Sequence, residues 1–449
     1  MLFQILVASY IAGLALVGGL SAKPYFDLLD HLSTKSPYKI PRSAEQGTSV
    51  ASTCNLTQLH LISRHGTRYP SARDALEFAR LGKLFSKAIK HDGRYSWMSS
   101  WESPYLVSQE YQLAPSGALD LYRLSKRCRS RYHDFFRGQG YDPRLYSFLS
   151  SQKDRSGESG SAFGIGLFEG TGPLGETRIQ PVYIYTIPLG LDQELAIKYA
   201  CEKWLAQSRD NVRLGAVKRH FSKHYIKKTA NRISEEFALN VTTLDVKYIY
   251  KLCGFEASIH QRRSTWCDLL RDDEILELEL LGDFESYYKY SYGSAMNSKM
   301  ACALVTKLVT QVEDHLRGAS STRAYFKFGH AETLLFLSTL LNLRKDPAQW
   351  TISNIPKLLQ ERDFRTSELT PFSANVFFEI YQCAQGGGTR VRLLVNERPT
   401  QIPGCRELLC SWEEAKGLLK DSIGCTMASF CSVSKQEVLR VQRRNNRME

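Results

Sequence analysis

Only one apolar run in this sequence, Leu2 to Leu20, is long enough to span a bilayer, which excludes a polytopic membrane protein. There is no zinc-finger, RNA-recognition or basic-zipper pattern, so the net charge of +13 has no nucleic-acid module to belong to. The ten histidines lack the H-E-x-x-H spacing of a catalytic zinc site. Internal repeats, long linkers and low-complexity segments are missing as well, which excludes solenoids and arrays. The last residues, Asn445-Asn446-Arg447-Met448-Glu449, carry no K-D-E-L-like ending, so no retention signal for the endoplasmic reticulum is visible. These absences lead us to expect no metal, no cofactor and no nucleic-acid partner, and nothing in the sequence specifies an oligomeric state.

The apolar run contains no charged residue and ends at Ser21-Ala22, small residues suited to cleavage before Lys23. Residues 1–22 read as a signal peptide that lacks the usual positive n-region, with an uncleaved anchor as the alternative. After cleavage no stable membrane insertion is expected. The eleven cysteines point to an oxidising compartment, and their odd number leaves at least one unpaired or bridged between chains. Cys253 and Cys267 bracket a short segment, and Cys405, Cys410, Cys425 and Cys431 crowd the C-terminal region, both suggesting local bridges. Asn55-Leu56-Thr57 and Asn240-Val241-Thr242 are glycosylation sequons. The expected location is therefore the secretory pathway, with the protein secreted or lysosomal.

With 449 residues and 43% hydrophobic content the chain can bury a large core and hold two domains. A positive balance attracts polyanions: acidic membranes, nucleic acid or highly phosphorylated small molecules. The basic runs at Lys126–Arg131, Lys218–Lys228 and Arg443-Arg444 read as solvated helix faces whose summed field steers an anion inward.

One stretch stands apart. From Gln58 to Ile62 polar and apolar residues alternate, as in a strand entering a core. Then Arg64-His65-Gly66-Thr67-Arg68-Tyr69-Pro70 follows, and Pro70 stops any ladder. Two guanidiniums flank one imidazole, and the glycine lets backbone approach a ligand closely. Arginine offers a rigid fork of donors to phosphate or carboxylate, and a neutral imidazole between two forks can attack phosphorus. The alternative is a basic surface turn.

The string resembles the R-H-G-x-R-x-P signature of the histidine acid phosphatases. That family carries a second signature downstream, a histidine followed by Asp or by Ala-Glu, and here Phe328-Gly329-His330-Ala331-Glu332-Thr333 is similar to it. The form His-Ala-Glu resembles the multiple inositol polyphosphate phosphatase branch. Ser150 to Ser159 resembles the family segment in which a strand ends in Ser and an Arg four or five residues on binds phosphate. Arg155 fits that role, while Ser156-Gly157 departs from the commoner pattern. Leu113 to Gly117 resembles the family's L-T-x-x-G helix start. In related phosphatases a cysteine placed like Cys54 is bridged to the C-terminal half, which would suit Cys383.

The resemblance covers most of residues 54–400 and implies an α/β fold: a histidine-phosphatase-like mixed sheet flanked by helices, with an inserted, mostly helical cap domain. Residues 50–170 and 305–435 would form the discontinuous catalytic domain, 171–304 the cap and 436–449 a basic tail. The implied enzyme is a secreted phosphomonoesterase with His65 as nucleophile, His330 and Glu332 as the other catalytic residues, and Arg64, Arg68 and Arg155 binding phosphate. Its partner would be a small phosphorylated substrate, an inositol polyphosphate such as phytate. Two alternatives stay open: a broad-specificity histidine acid phosphatase, and a non-catalytic, anion-binding secreted protein.

Overall fold

The computed structural model describes residues 26–42, 50, 52–89, 93–209, 211–384 and 386–432; the expected leader and basic tail lie outside them. Among the described residues eight strands form one sheet: β1 (Cys54–Arg64), β2 (Tyr146–Ser151), β3 (Ile184–Ile187), β4 (Ala324–Gly329), β5 (Asn375–Cys383), β6 (Gly388–Val395), β7 (Arg398–Thr400) and β8 (Leu409–Ser411). Their order is β3-β2-β4-β1-β5-β6-β7, with β8 on β6. The first four of these are mutually parallel and the rest antiparallel, so the sheet is mixed, as the resemblance implies. Parallel neighbours end on one edge, and the loops leaving β1, β2 and β4 therefore meet there.

The alternation in β1 assigns its residues to two cores. Leu59 and Leu61 face Leu121 and Phe163, whereas Ile62 faces the other way, toward Leu304 and Phe336. The first core rests on helices α1 (Ala72–Phe85), α2 (Pro115–Arg131) and α3 (Asp154–Phe168) only through the last two. The α1 helix packs elsewhere, with α4 (Val212–Phe221), α5 (Lys227–Phe237), α6 (Thr243–His260) and α7 (Asp272–Tyr290). Behind the sheet's other face lie α8 (Cys302–Leu316) and α9 (Ala331–Leu340). Among the described residues no helix is long and apolar enough to cross a membrane.

The helices α4 to α7 lie within the stretch expected to be a cap, but their core extends beyond it. Phe78 and Phe85 of α1 and Trp350 and Phe364 far downstream share it with Phe221, Phe255 and Trp266. In the other direction β3, which is also inside 171–304, belongs to the sheet. This strand is short, partly exposed and at the edge; its β-branched and aromatic residues suit a strand, but nothing local ties it to this sheet rather than to the cap.

Five disulfides join described residues: Cys54–Cys383, Cys201–Cys431, Cys253–Cys267, Cys302–Cys425 and Cys405–Cys410. The first is the pair the resemblance implies, and it clamps paired positions of β1 and β5. The bridges Cys253–Cys267 and Cys405–Cys410 are local. Cys425 and Cys431 correct the expectation of local C-terminal bridging, since their partners, Cys302 and Cys201, lie far upstream. Cys128 is the free cysteine, buried in the core.

One basic run is also corrected. Arg127 and Arg131 are one turn apart on α2, and both reach the buried Glu397, at 2.6 Å and 3.4 Å. They anchor the β6–β7 turn rather than face solvent.

Candidate active site

The β1 strand delivers its last residues to the sheet edge and the main chain is tied on both sides. His65 N–H donates to Gly329 O at 3.0 Å, and Ser373 N–H donates to His65 O at 3.2 Å. Gly66 N–H donates to Ser159 Oγ of α3, whose hydroxyl in turn donates to Arg155 O. Gly66 was expected to admit a ligand; the structure gives it a different task. A Cβ there would lie 2.3 Å from Gly117 O, and one on Gly117 would lie 2.2 Å from Thr67 O. Two backbones touch, and glycine on both sides lets the first turn of α2 press against the signature loop.

His65 is buried, and its Nδ1 lies 2.8 Å from Gly66 O. A carbonyl only accepts, so Nδ1 carries the proton and Nε2 keeps its lone pair. The ring of His330 stands edge-on to that of His65, centroids 5.7 Å apart. His330 Nε2 is 2.9 Å from Ser151 Oγ, which donates to Ser156 Oγ. Ser156, one of the two residues that depart from the family pattern, thus helps to fix His330.

Around these rings stand the arginines. Arg64 donates from Nη1 to the carbonyls of Thr34 and Thr370, at 2.7 Å and 2.6 Å, and its guanidinium lies over the Phe372 ring. The guanidiniums of Arg68 and Arg155 lie over the Tyr111 ring, and Tyr111 holds a left-handed backbone with φ of 60°. The Nε atoms of Arg64 and Arg155 are buried and have no hydrogen-bond partner in the fold. Buried donors of this kind are costly unless an acceptor arrives.

The electrostatics follow from this crowding. Burial, then the charges of Arg68 and Arg155, push Arg64 down to about 9 despite the pull of Glu332; burial and Arg155 push Arg68 down to about 10. Burial, then the charge of Arg64, holds His65 well below its ordinary value. Burial, against the pull of Glu332, pushes His330 down to about 3. Both imidazoles are therefore neutral near neutral pH, in a field that favours an anion.

Glu332 lies in the first turn of α9, where free N–H groups and the helix dipole favour negative charge. Burial would raise its pKa, but the Lys198 ammonium 2.5 Å away, with His330, holds it well below the usual carboxylate range. Arg64, His65, Arg68, Arg155, His330 and Glu332 all line one cavity of about 620 Å³. The six candidate residues come together.

The residues that sequence reasoning missed are mainly lysines. Lys35, Lys153, Lys198, Lys247, Lys251 and Lys289 line the same cavity, against the acids Glu285 and Glu332. Lys247 and Lys251 are one turn apart on α6, and Lys251 is paired with Asp74 at 2.7 Å. Lys153 lies in the segment that leads to Arg155; each of the others is a single lysine that no local signal marks. Potential metal ligands come together in one cluster among the described residues, Cys405, Cys410 and Glu414, and its cysteines are joined as a disulfide.

A family model described as the histidine phosphatase superfamily (branch 2) matches residues 55–396. The chain is 28% identical to multiple inositol polyphosphate phosphatase 1 of Gallus gallus, over 97% of this chain and 96% of that protein. In fold it is similar to the phytase from D. castellii, with a TM-score of 0.74 at 18% identity, covering 90% of this chain and 88% of the phytase. It is similar too to the Bifidobacterium longum multiple inositol polyphosphate phosphatase in complex with inositol hexasulfate, with a TM-score of 0.68 at 16% identity, covering 90% of this chain and 100% of the other.

Proposed function

The chain belongs to branch 2 of the histidine phosphatase superfamily, and from that membership we propose that it is a phosphomonoesterase of the secretory pathway that hydrolyses inositol polyphosphates through a phosphohistidine on His65. One observation carries the reading. With Nδ1–H bound to Gly66 O, the free lone pair of Nε2 stands in a cavity lined by three arginines, two of which hold buried, unsatisfied Nε donors.

In this mechanism Arg64, Arg68 and Arg155 bind the equatorial oxygens of the phosphoryl group, joined by His330 once the arriving dianion draws a proton onto that imidazole, and together they spread the charge that develops there. His65 Nε2 attacks in line; the N–P bond forms as the ester O–P bond breaks. Glu332 gives a proton to the departing oxygen, and its carboxylate then takes one from the water that hydrolyses the adduct. The field of cavity lysines supports a substrate with several phosphates over one with a single phosphate. The relative bound to inositol hexasulfate and the Gallus gallus relative support the same substrate class. Five disulfides among the described residues fit an oxidising compartment.

The test is phosphate release from inositol hexakisphosphate and from p-nitrophenyl phosphate, with chelator present, combined with rapid quench. The wild-type protein should turn over the inositol ester and form an acid-labile, base-stable phosphoryl adduct. His65→Ala should stay folded and form neither product nor adduct. An alkali-labile adduct on serine, or activity that vanishes with chelator and returns with zinc or magnesium, refutes the mechanism. Binding of the inositol ester without turnover would favour an anion carrier.

A further inference from the structure

Resting on the functional reading above, we infer that Lys198 is a positioning residue that changes partner during turnover: paired with Glu332 in the free enzyme, it passes to a phosphate of the bound substrate and leaves Glu332 free to carry the proton. Nothing in the motifs points to this lysine. It lies in a short turn, Ile197–Ala200, after the buried anchors Leu195, Ala196 and Ile197.

One set of bonds shapes the segment leading to the turn, and one bond fixes that segment to the first turn of α9. Asp192 Oδ1 accepts from the N–H groups of Glu194 and Leu195, and Thr333 Oγ donates to Leu195 O at 2.6 Å. Thr333 directly follows Glu332, so the bond that holds the 190s segment also sets the distance between Lys198 and Glu332. The resulting ion pair measures 2.5 Å and lies inside the cavity that holds the arginines.

The pairing matters because a carboxylate so placed is ionised and has no proton to donate. Among the described residues six groups face Glu332: His330 just before its helix, Arg64 at the end of β1, Arg68 beyond it, Arg155 on α3, Tyr290 on α7, and Lys198. Arg64 is held by two carbonyls and Arg68 by one. Lys198 is the flexible cation of the set, an ammonium on a four-carbon stem. A phosphate dianion entering the cavity competes for it and does so with more charge than Glu332. Once Lys198 has moved, Glu332 stands beside an anion without its counter-ion, which raises its proton affinity. It takes a proton from solvent and passes it to the leaving oxygen as the O–P bond breaks and the N–P bond to His65 forms. Water then attacks phosphorus, the N–P bond breaks, and the water proton returns to Glu332.

The test compares pH profiles of kcat/KM for wild type, Lys198→Met and Lys198→Arg on inositol hexakisphosphate and p-nitrophenyl phosphate. These profiles report the free enzyme, and comparing variants on one substrate cancels the titration of that substrate. In Lys198→Met the alkaline limb for the inositol ester should move up by about one pH unit or more, since Glu332 has lost its counter-ion. The KM for that ester should rise about tenfold through the lost charge-assisted contact, with a smaller effect on the aryl ester. Lys198→Arg should keep the wild-type limb, and adding Glu332→Gln to Lys198→Met should abolish the shift. If Lys198→Met does not fold, Lys198→Gln makes the same comparison. An unmoved alkaline limb, or an equal loss on both substrates with an unchanged profile, overturns the inference while the functional reading stands. Wild-type protein inactive toward both esters would instead overturn the functional reading and this inference with it.

Discussion

Replacing Gly117 with alanine places a methyl group where the signature loop already lies. Its Cβ would stand 2.2 Å from Thr67 O and 2.3 Å from Thr67 N, against about 3.4 Å for an ordinary contact. Both neighbours are main-chain atoms, and the Ala114 N–H bond to Thr67 O, 2.8 Å long, keeps the loop on the helix. Relief requires the two backbones to part by roughly 1 Å, a strain of the overpacking kind that costs about 1–3 kcal/mol. Alanine's better helix propensity returns at most about 1 kcal/mol. Strain wins over most of that range, and a net loss of up to about 2 kcal/mol is expected. Thr67 is two residues from His65, so the displacement reaches the nucleophile, and misplacement of this size can lower the rate about 10²-fold. Gly215 in α4 is the control. Its added Cβ would meet only the tip of the Arg219 side chain, at 3.5 Å. Gly215→Ala should therefore gain about 0.4–1 kcal/mol with kcat unchanged. Urea denaturation and steady-state rates on both variants decide the matter. A Gly117→Ala protein as stable and as active as wild type would refute the close-contact account.

Glu332→Gln keeps shape but removes the proton, so phosphorylation by an inositol ester should slow by about 10²–10⁴-fold, with far less effect on p-nitrophenyl phosphate; the burst phase is the measurement. A small, uniform loss would make Glu332 a helix-start residue only. His65 is held well below its ordinary value by burial and then by Arg64, so kcat/KM should show no acid limb from this group near 6.5; such a limb would contradict the buried, arginine-ringed geometry. Raising salt from 0.1 M to 1 M shortens the Debye length from about 10 Å to about 3 Å. The loss of kcat/KM should then be larger for inositol hexakisphosphate than for a monophosphate, and equal losses would place the steering charge away from the cavity.

The contiguous parts of the candidate site were legible in the sequence. Arg64, His65 and Arg68 lie within five residues at a strand end, and His330 and Glu332 lie at a strand-to-helix junction, so each group has a local signature. Arg155 was legible through the family resemblance alone, because an arginine in a Ser/Gly/Asp loop looks ordinary. Several strands and helices could be placed from their periodicity; the β-branched and aromatic run Ile184–Ile187 suits a strand too, but its place at the edge of this sheet depends on pairing with β2, which no local residue announces.

What only the tertiary structure decided concerns pairs with no local counterpart. Gly66 meets Gly117 because α2 folds back onto the loop, and nothing around either glycine names the other. Lys198 reaches Glu332 because Thr333 binds Leu195 O, a contact between segments more than a hundred residues apart. Cys425 and Cys431 looked like local partners, but their bonds run to Cys302 and Cys201. The chain by itself determined which chemical groups are present and which short elements carry them, since these depend on neighbouring residues. The distances between elements, and with them the charge state of Glu332, the tautomer of His65 and the gathering of lysines around the cavity, come from packing of the whole chain, which sets burial and pairing together.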